Sequence, residues 1–237
     1  MLLPATLQDS AWTGAPLGRS DRWLYTVCTR LLWAYVEKHA SGAGLQLEEP
    51  LLGSPLPVYW KARLISQDLA NTALEVASIR RVLGDRSLSN ILEIGAGYGR
   101  TAYVLLNLYP ESRYTIVDVE PALSISRWYL SALFPSDRLR FVAASDLDEI
   151  SDSFSLSISI SSLQEMTPAQ IKAYIEFMDK RTLRGGAVYL KQWTEWHNRL
   201  DNFTAKFIEY PIPSRWKLLL AEPAPVQTRF TQAMWEL

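Results

Sequence analysis

Three glycines and one acidic residue, Glu93, have the spacing of a ligand-binding turn in the stretch ILEIGAGYGR, residues 91–100. Gly95, Gly97 and Gly99 follow a short apolar run at alternate positions. Glycine loses more backbone freedom on folding than other residues, so three of them indicate unusual dihedrals or the close approach of another molecule. The last glycine of the dinucleotide template G-x-G-x-x-G would fall on Arg100. We therefore predict a cofactor-binding turn of another kind, although a purely structural corner would also use glycines.

Acidic residues follow the next two strand-like runs, and parallel strands would bring them to the same edge of a sheet. Asp118 ends the run RYTIVD, where it could accept both hydroxyls of a ribose or cap the helix that Pro121 opens. Glu120 is better placed for the capping role. Asp146 follows the run at residues 138–143, and it could bind an adenine amino group or lie in a solvated loop. These positions predict that Asp118 and Asp146 bind a nucleoside.

Residues suited to binding and deprotonating an acceptor follow the fourth and fifth runs. The stretch SSLQEM supplies Gln164 and Glu165, and Glu165 could act as a base, a hydroxyl acceptor, a metal ligand or a charge at a helix N-terminus. The stretch KQWTEWHNRLDN supplies four more candidates: Lys191, Trp193, His197 and Asp201. Tryptophan rings suit the C–H face of a sugar or an aromatic acceptor. Histidine exchanges protons near neutral pH, so we predict His197 as the base and Glu165 as the group that orients the acceptor.

The pattern from Glu93 to Gly99, E-x-G-x-G-x-G, resembles motif I of the class I S-adenosylmethionine (SAM) methyltransferases. Together with SSLQEM, YLKQW and PAPVQTRF, it is similar to a bacterial family of sugar O-methyltransferases over roughly residues 60–237. The resemblance implies SAM as cofactor, with Glu93, the glycines and Asp118 around it, and a small-molecule acceptor that contains a sugar. It leaves a divalent metal open, because no diagnostic ligand spacing relates the available carboxylates Glu165, Asp146 and Asp201. An aromatic or polyketide-like acceptor and a non-catalytic binding protein stay as alternatives.

Two helices are predicted before the glycine turn. Apolar residues recur every three or four positions from Asp21 to about Ala40, and they form a stripe that we expect to be buried: Leu24, Val27, Leu31, Ala34 and Tyr35. A second helix is predicted from about Lys61 to Leu83. Its polar face carries Gln67 and Asn71, which either face solvent or cover the methionyl end of the cofactor.

Five apolar runs that alternate with helical patterns predict a parallel sheet covered on both faces. The runs are Asn90–Ile94, Arg113–Asp118, Arg138–Ala143, Phe154–Ile160 and Gly186–Trp193. The fourth run alternates serine with apolar residues, which is typical of a half-exposed strand, but small serines would let a covering helix approach closely. Two more runs, Trp216–Ala221 and Val226–Trp235, predict an antiparallel hairpin.

The predicted fold class is therefore α/β. We expect an N-terminal arm and helical cap over residues 1–85 and a methyltransferase domain over residues 86–237. The domain would hold a Rossmann-like, seven-stranded, mostly parallel sheet with an antiparallel C-terminal hairpin, the strand number that the resemblance implies.

The composition is that of a globular protein, with 48% hydrophobic and 21% charged residues among 237. A net charge of −1 disfavours a nucleic-acid partner. The single cysteine, Cys28, argues against a disulfide framework or a cysteine metal site. No apolar run approaches the roughly 18 residues of a membrane span, and the first residues lack the basic start of a signal peptide. We expect a soluble, cytoplasmic protein without a membrane partner, and a homodimer stays open.

Overall fold

The computed structural model describes residues 18–40, 42, 46–53, 55–198 and 202–237. The chain divides into two compact units, Met1–Ser78 and Ile79–Leu237. The division lies inside the helix Gln67–Leu83, and the predicted domain boundary after residue 85 stays a prediction.

The first unit contains the helix α1 (Arg19–His39), the hairpin strands β1 (Val58–Trp60) and β2 (Arg63–Ile65), and the start of the helix α2 (Gln67–Leu83). The prediction that the second helix begins near Lys61 is wrong, because Lys61 and Ala62 form the turn of the hairpin with φ of 49° and 66°. Ser66 Oγ accepts a hydrogen bond from the Leu69 N–H at 3.0 Å, as an N-cap residue does.

The buried face of α1 differs from the predicted one. Thr29, Trp33 and Val36 are buried, whereas Leu31 is 66% exposed and Leu24 and Tyr35 are exposed as well. The Trp33 indole explains why this face of α1 is the buried one. The ring is completely buried, and its Nε1–H donates to the Ser66 carbonyl at 2.9 Å. The helix thus carries two apolar stripes, and periodicity alone does not say which of them faces the unit's interior.

Besides the end of α2, the second unit contains nine strands and three α-helices among the described residues. The strands are β3 (Asn90–Ile94), β4 (Arg113–Asp118), β5 (Leu139–Ala143), β6 (Phe154–Ile160), β7 (Thr182–Trp193), β8 (Glu195–Asn198), β9 (Phe203–Lys206), β10 (Lys217–Pro223) and β11 (Phe230–Glu236). The helices are α3 (Arg100–Leu108), α4 (Ala122–Ser131) and α5 (Pro168–Arg181).

Seven of these strands form one sheet in the order β10-β11-β7-β6-β3-β4-β5. The strands from β7 to β5 are parallel neighbours, and β11 is antiparallel to both β7 and β10. The predicted mostly parallel sheet with an antiparallel C-terminal hairpin is therefore confirmed. Because the five parallel strands end at one edge, the turns that follow them lie side by side.

The serine-rich strand β6 lies inside the sheet, between β3 and β7. Ser157 and Ser159 are completely buried, so the alternation marks small residues on an interior face and not a solvent-exposed face. Each hydroxyl has a partner, since Ser157 Oγ lies 2.7 Å from Thr182 Oγ1 and Ser159 Oγ accepts from Gln192 Nε2 at 3.3 Å. Buried hydroxyls in this strand are thus hydrogen-bonded, as burial requires.

Two local features differ from the predicted order of elements. The strands β8 and β9 form a separate antiparallel hairpin that the sequence analysis missed, because each strand has only four residues. The helix that Pro121 opens is predicted to end at Pro135, but α4 ends earlier, at Ser131.

A cavity of about 130 Å³ opens at the amino-terminal edge of the sheet, where Arg86, Ser155 and Gly185 line it. This edge is opposite the one that carries the predicted site residues.

Candidate functional site

The glycine turn after β3 uses each of its three glycines for a different reason. All three have positive φ, 74° at Gly95, 57° at Gly97 and 96° at Gly99, a conformation that favours glycine. A Cβ on Gly95 would overlap the Ser162 side chain, and a Cβ on Gly99 would lie 2.8 Å from Leu130 Cδ1. A Cβ on Gly97 would have no heavy atom within 4 Å. The backbone at Gly97 is therefore the part of the turn that is open to another molecule.

An arginine that directly follows this turn links it to the neighbouring helices. Arg100, the first residue of α3, is buried, and its Nε and Nη2 groups donate to the Tyr98 hydroxyl at 2.9 and 2.7 Å. Its Nη1 group donates to the Tyr129 hydroxyl on α4 at 3.2 Å. The turn is thereby held against two helices. In the sequence Arg100 stands out only as a mismatch to the dinucleotide template.

Asp118 ties the end of β4 to the glycine turn. Its Oδ2 accepts from the Gly97 N–H at 2.9 Å, and its Oδ1 accepts from the Val119 N–H at 2.8 Å. Burial raises the pKa of the Asp118 carboxyl, while these backbone donors act in the opposite direction. The capping role falls to Glu120, whose Oε2 accepts from the Ser124 N–H at 3.2 Å. Asp118 is therefore held beside the open glycine and is not used as a helix cap.

The other two acidic residues predicted to bind the cofactor have different surroundings. Glu93 is 2% exposed within β3, and its carboxylate accepts from the Tyr114 hydroxyl at 2.8 Å. The hydrogen bond thus joins the neighbouring strands β3 and β4 inside the sheet. Asp146 lies in a short 3₁₀ segment after β5, where it is exposed and accepts from the Ser145 hydroxyl at 2.8 Å.

Glu165 lies close enough to Asp118 for the two charges to interact. The Glu165 side chain has an exposed surface, yet partial desolvation raises its pKa, and the negative charge of Asp118 raises it further. Tyr174 on α5, which the sequence analysis missed, has a raised pKa for the same two reasons. The structure therefore brings Asp118, Glu165 and Tyr174 to one edge of the sheet.

Two glutamines fix the turn that carries Glu165. Gln192 is completely buried, and its Oε1 accepts from the N–H groups of Ser162 at 3.0 Å and Gln164 at 3.4 Å. The Gln164 side chain is buried too. Its Oε1 accepts from the Trp193 N–H at 2.7 Å, and its Nε2 donates to Ser161 Oγ at 3.2 Å. These bonds favour a structural role for Gln164 over the predicted contact with substrate. The sequence analysis missed Gln192.

An aromatic cluster follows the end of β7. The Trp193 ring lies 5.0 Å from the Trp196 ring and 5.3 Å from the Phe230 ring, measured between centroids. The Arg229 guanidinium lies 5.7 Å from the Trp193 ring centroid. Lys191 is nearly buried, with Nζ donating to Gln227 Oε1 and lying 5.2 Å from the Phe230 centroid. Trp193 is only half-buried, so its ring can still contact a ligand.

His197 lies on the opposite face of the hairpin from the Glu165 turn. Successive side chains of a strand point to opposite faces. Asn198 is buried and its Nδ2 donates to the Glu165 carbonyl at 3.0 Å, whereas His197 is exposed and lies 3.2 Å from Thr204 Oγ1. The His197 side chain is therefore directed away from the Glu165 turn, and this direction does not favour its predicted role as the base, which stays a prediction. The sequence analysis did not foresee the hairpin that sets this alternation.

Three predicted residues have no described relationship to this edge. Asp201 lies outside the described residues. Gln67 and Asn71 belong to the first unit, where both lie half-buried in α2. The Gln67 N–H donates to the Tyr25 hydroxyl at 3.4 Å.

Two kinds of feature are absent from the described residues. No helix in this part of the chain combines the length and apolar character needed to cross a membrane. No group of three or more His, Cys, Asp or Glu side chains there is arranged to hold a metal ion.

The sequence matches no protein-family model and no curated protein. The fold is similar to that of solved methyltransferases. The mitomycin 7-O-methyltransferase MmcR has a TM-score of 0.55 and 12% identity over 73% of this chain and 55% of its own. The glycopeptide N-methyltransferase MtfA, complexed with SAM, has a TM-score of 0.53 and 15% identity over 70% and 93% of the two chains.

The N-methyltransferase NodS from Bradyrhizobium japonicum WM9, in complex with S-adenosylhomocysteine, has a TM-score of 0.52 and 16% identity. That match covers 86% of this chain and 97% of NodS. The chain spans about half the length of MmcR, 55%, and 58% of the pyocyanin biosynthetic protein PhzM. At these identities the similarity establishes a shared fold.

Proposed function

We propose that this protein is a SAM-dependent methyltransferase that methylates a hydroxyl group of a small molecule, a sugar or a sugar-containing metabolite. The observation that carries the proposal is the open backbone at Gly97 beside the Asp118 carboxylate. The two residues are hydrogen-bonded at 2.9 Å, yet a side chain on Gly97 would meet no protein atom within 4 Å. A turn that needs glycine without a protein neighbour fits close approach by a ligand.

The residues around this opening fit the parts of SAM. The backbone N–H groups at the start of α3 suit a carboxylate, as helix N-termini do. Asp118 suits the two ribose hydroxyls, because a carboxylate accepts about four hydrogen bonds and backbone donors use only part of that capacity. Asp146 is exposed after the neighbouring strand and stays a candidate for the adenine amino group. Glu93 precedes the turn at the end of β3 and stays a candidate for the cofactor site.

The charges at the same edge fit a cationic ligand. Asp118 and Glu165 repel each other, and this repulsion contributes to the raised pKa of Glu165. A positive group beside both carboxylates would relieve the repulsion. Bound SAM would supply an electrophilic methyl group on a positively charged sulfonium. The similarity of the fold to MtfA with SAM bound and to NodS with S-adenosylhomocysteine bound supports the same cofactor.

Glu165 is the better candidate for the base. Burial and the negative charge of Asp118 raise the pKa of Glu165, which makes it a stronger proton acceptor than an ordinary glutamate. His197 is exposed on the face of its hairpin opposite the Glu165 turn. We therefore assign the role of base to Glu165 instead of His197. The acceptor hydroxyl would give its proton to the Glu165 carboxylate, while the Ser161–Glu165 turn, locked by Gln192, holds that carboxylate in place.

The aromatic cluster supports a ring-shaped acceptor. Trp193 keeps part of its ring accessible, and such rings pack on the C–H face of a sugar. An aromatic acceptor is the second candidate, because Trp193, Trp196 and Phe230 could equally stack on a flat ring. Among the structural neighbours, MmcR is named for mitomycin and PhzM for pyocyanin biosynthesis.

The test is transfer of label from methyl-labelled SAM to a panel of nucleotide sugars, glycosides and phenols. We expect a sugar hydroxyl to take the label, and label on phenols alone would move the acceptor class to the second candidate. Thermal shift with SAM, S-adenosylhomocysteine and NAD tests the cofactor separately. We expect SAM and S-adenosylhomocysteine to raise the melting temperature of the unmodified protein. Asp118→Ala should abolish this increase. Asp137→Ala should keep it, because Asp137 lies directly before β5, at the opposite edge of the sheet. Binding without transfer to any acceptor would indicate a non-catalytic protein.

A further inference from the structure

The exposed stripe of α1 has the spacing of a coiled-coil seam. Six positions alternate in steps of three and four residues: Asp21, Leu24, Cys28, Leu31, Tyr35 and Lys38. Leu24, Leu31 and Tyr35 are 39%, 66% and 38% exposed, and Cys28 is half-buried. The steps match the a and d positions of a heptad repeat, which form a continuous seam against a second helix. We call these six residues the α1 seam.

The α1 seam is separate from the face that packs within the first unit. Thr29, Trp33 and Val36 form that buried face on the other side of the helix. Large apolar side chains in one contiguous exposed stripe mark an interaction surface more often than an ordinary solvated face. The stripe lies on a helix of 21 residues, which is about 31 Å long at 1.5 Å per residue. That length can support a helix-to-helix contact.

The charges at the two ends of the seam specify the partner and its direction. In an antiparallel pair of identical helices, Leu24 lies opposite Tyr35 of the partner subunit and Cys28 opposite Leu31 of the partner subunit. The same register sets Asp21 opposite Lys38 of the partner subunit, and two-fold symmetry repeats the pair at the other end. A parallel pair would instead set Asp21 against Asp21 and Lys38 against Lys38, and these like charges would repel each other and destabilise the dimer. The seam is therefore self-complementary in the antiparallel orientation only.

We propose that a second copy of this chain docks on the α1 seam to form an antiparallel, two-fold symmetric dimer. The apolar residues from Leu24 to Tyr35 form the centre of the contact, and the Asp21 and Lys38 pairs close both ends. This proposal is independent of the methyltransferase activity, since none of its residues belongs to the glycine-turn edge.

The experiment measures mass in solution by sedimentation equilibrium over a range of protein concentrations. The unmodified chain is expected to form dimers, and Leu31→Glu to raise the dimer dissociation constant at least ~10-fold by placing charge in the seam. Trp23→Glu is the matched control, because Trp23 is 68% exposed on the same helix outside the seam. Asp21→Lys and Lys38→Asp are each expected to weaken the dimer through like charges. The double variant Asp21→Lys/Lys38→Asp is expected to restore it.

Several results would overturn the proposal. The first is an unmodified chain that stays monomeric at 100 micromolar or so, a concentration at which weak dimers form. A dimer that Leu31→Glu leaves intact would place the interface elsewhere. A double charge variant that is no better than the single ones would exclude the antiparallel register. A fall in melting temperature with Leu31→Glu in a monomeric chain would show that the stripe packs within one molecule.

Discussion

The Asp118 carboxylate and the Gly97 N–H are joined by a hydrogen bond of 2.9 Å, so one acidic residue connects the ends of β3 and β4. The contact holds the glycine turn against the end of β4. It also positions the carboxylate beside the backbone that is open to a ligand. We expect Asp118→Asn to preserve the fold and to weaken S-adenosylhomocysteine binding ~10-fold or more, as measured by titration calorimetry, since a neutral amide accepts hydrogen bonds less strongly than a carboxylate. Unchanged affinity would remove Asp118 from the cofactor site.

Two glycines of the turn should respond differently to the same substitution. Gly95→Ala is expected to lower the free energy of unfolding by about 2–4 kcal/mol, because its Cβ would overlap Ser162 and its φ is positive. Gly97→Ala adds only backbone strain, about 1–2 kcal/mol, but should weaken cofactor binding strongly. Urea unfolding and calorimetry separate the two effects. Equal stability of both variants would contradict the contact with Ser162.

The buried amide of Gln192 should matter for both stability and turnover. Gln192→Leu leaves the N–H groups of Ser162 and Gln164 without their acceptor, which is expected to cost about 1–3 kcal/mol. Because the same turn carries Glu165, the turnover number should fall as well. Gln46→Leu is the control, since Gln46 is exposed in the first unit. If Gln192→Leu lowers stability but leaves the turnover number unchanged, the hydrogen bonds of Gln192 do not position Glu165.

The choice between the two candidate bases has a direct kinetic test. Glu165→Gln is expected to lower the turnover number about 10²-fold or more, as loss of a general base does, with binding of S-adenosylhomocysteine, which lacks the sulfonium charge, retained. His197→Ala should change it less than about twofold, because the side chain points away from the Glu165 turn. The original expectation of His197 as base would return if these two results were exchanged.

The raised pKa values of Asp118 and Glu165 predict opposite effects of acid on binding and on stability. Acid protonates both carboxyls, so affinity for a cationic ligand should fall as the pH drops through their raised pKa values. A carboxyl with a raised pKa binds its proton more tightly in the folded state, so its contribution to stability is lost as the pH rises through that range. Glu165→Gln should therefore raise the melting temperature slightly at pH 7 and not near pH 4. Calorimetric scans at both pH values check this.

Much of the fold could be predicted because strands and helices alternate clearly along residues 90–193. The apolar runs locate the strands, and right-handed crossovers leave few arrangements for five parallel strands. Periodicity predicted the wrong buried face for α1, because the apolar stripe that it identified includes the exposed residues Leu24, Leu31 and Tyr35. Thr29, Trp33 and Val36 form a second stripe with similar spacing, and only tertiary contacts decide between them.

The site was predictable where chemistry depends on the backbone and less so where it depends on side-chain direction. Spacing alone identified the glycine turn and placed Asp118 near it. The role of Gln164 was not predictable, because nothing in the sequence shows that its partner is the Trp193 N–H. The direction of His197 depends on a four-residue strand whose alternation is too short to recognise before the hairpin is known.

The position of β11 between β7 and β10 has a consequence for synthesis in the cell. Strand β7 is complete once residue 193 has been made, but its neighbour in the sheet comes from residues 230–236. During translation of the intervening segment, β7 presents an unpaired edge rich in buried residues such as Val188, Tyr189 and Leu190. Nascent chains stalled within that segment should therefore be prone to aggregate and to recruit chaperones, whereas chains released after β11 should not.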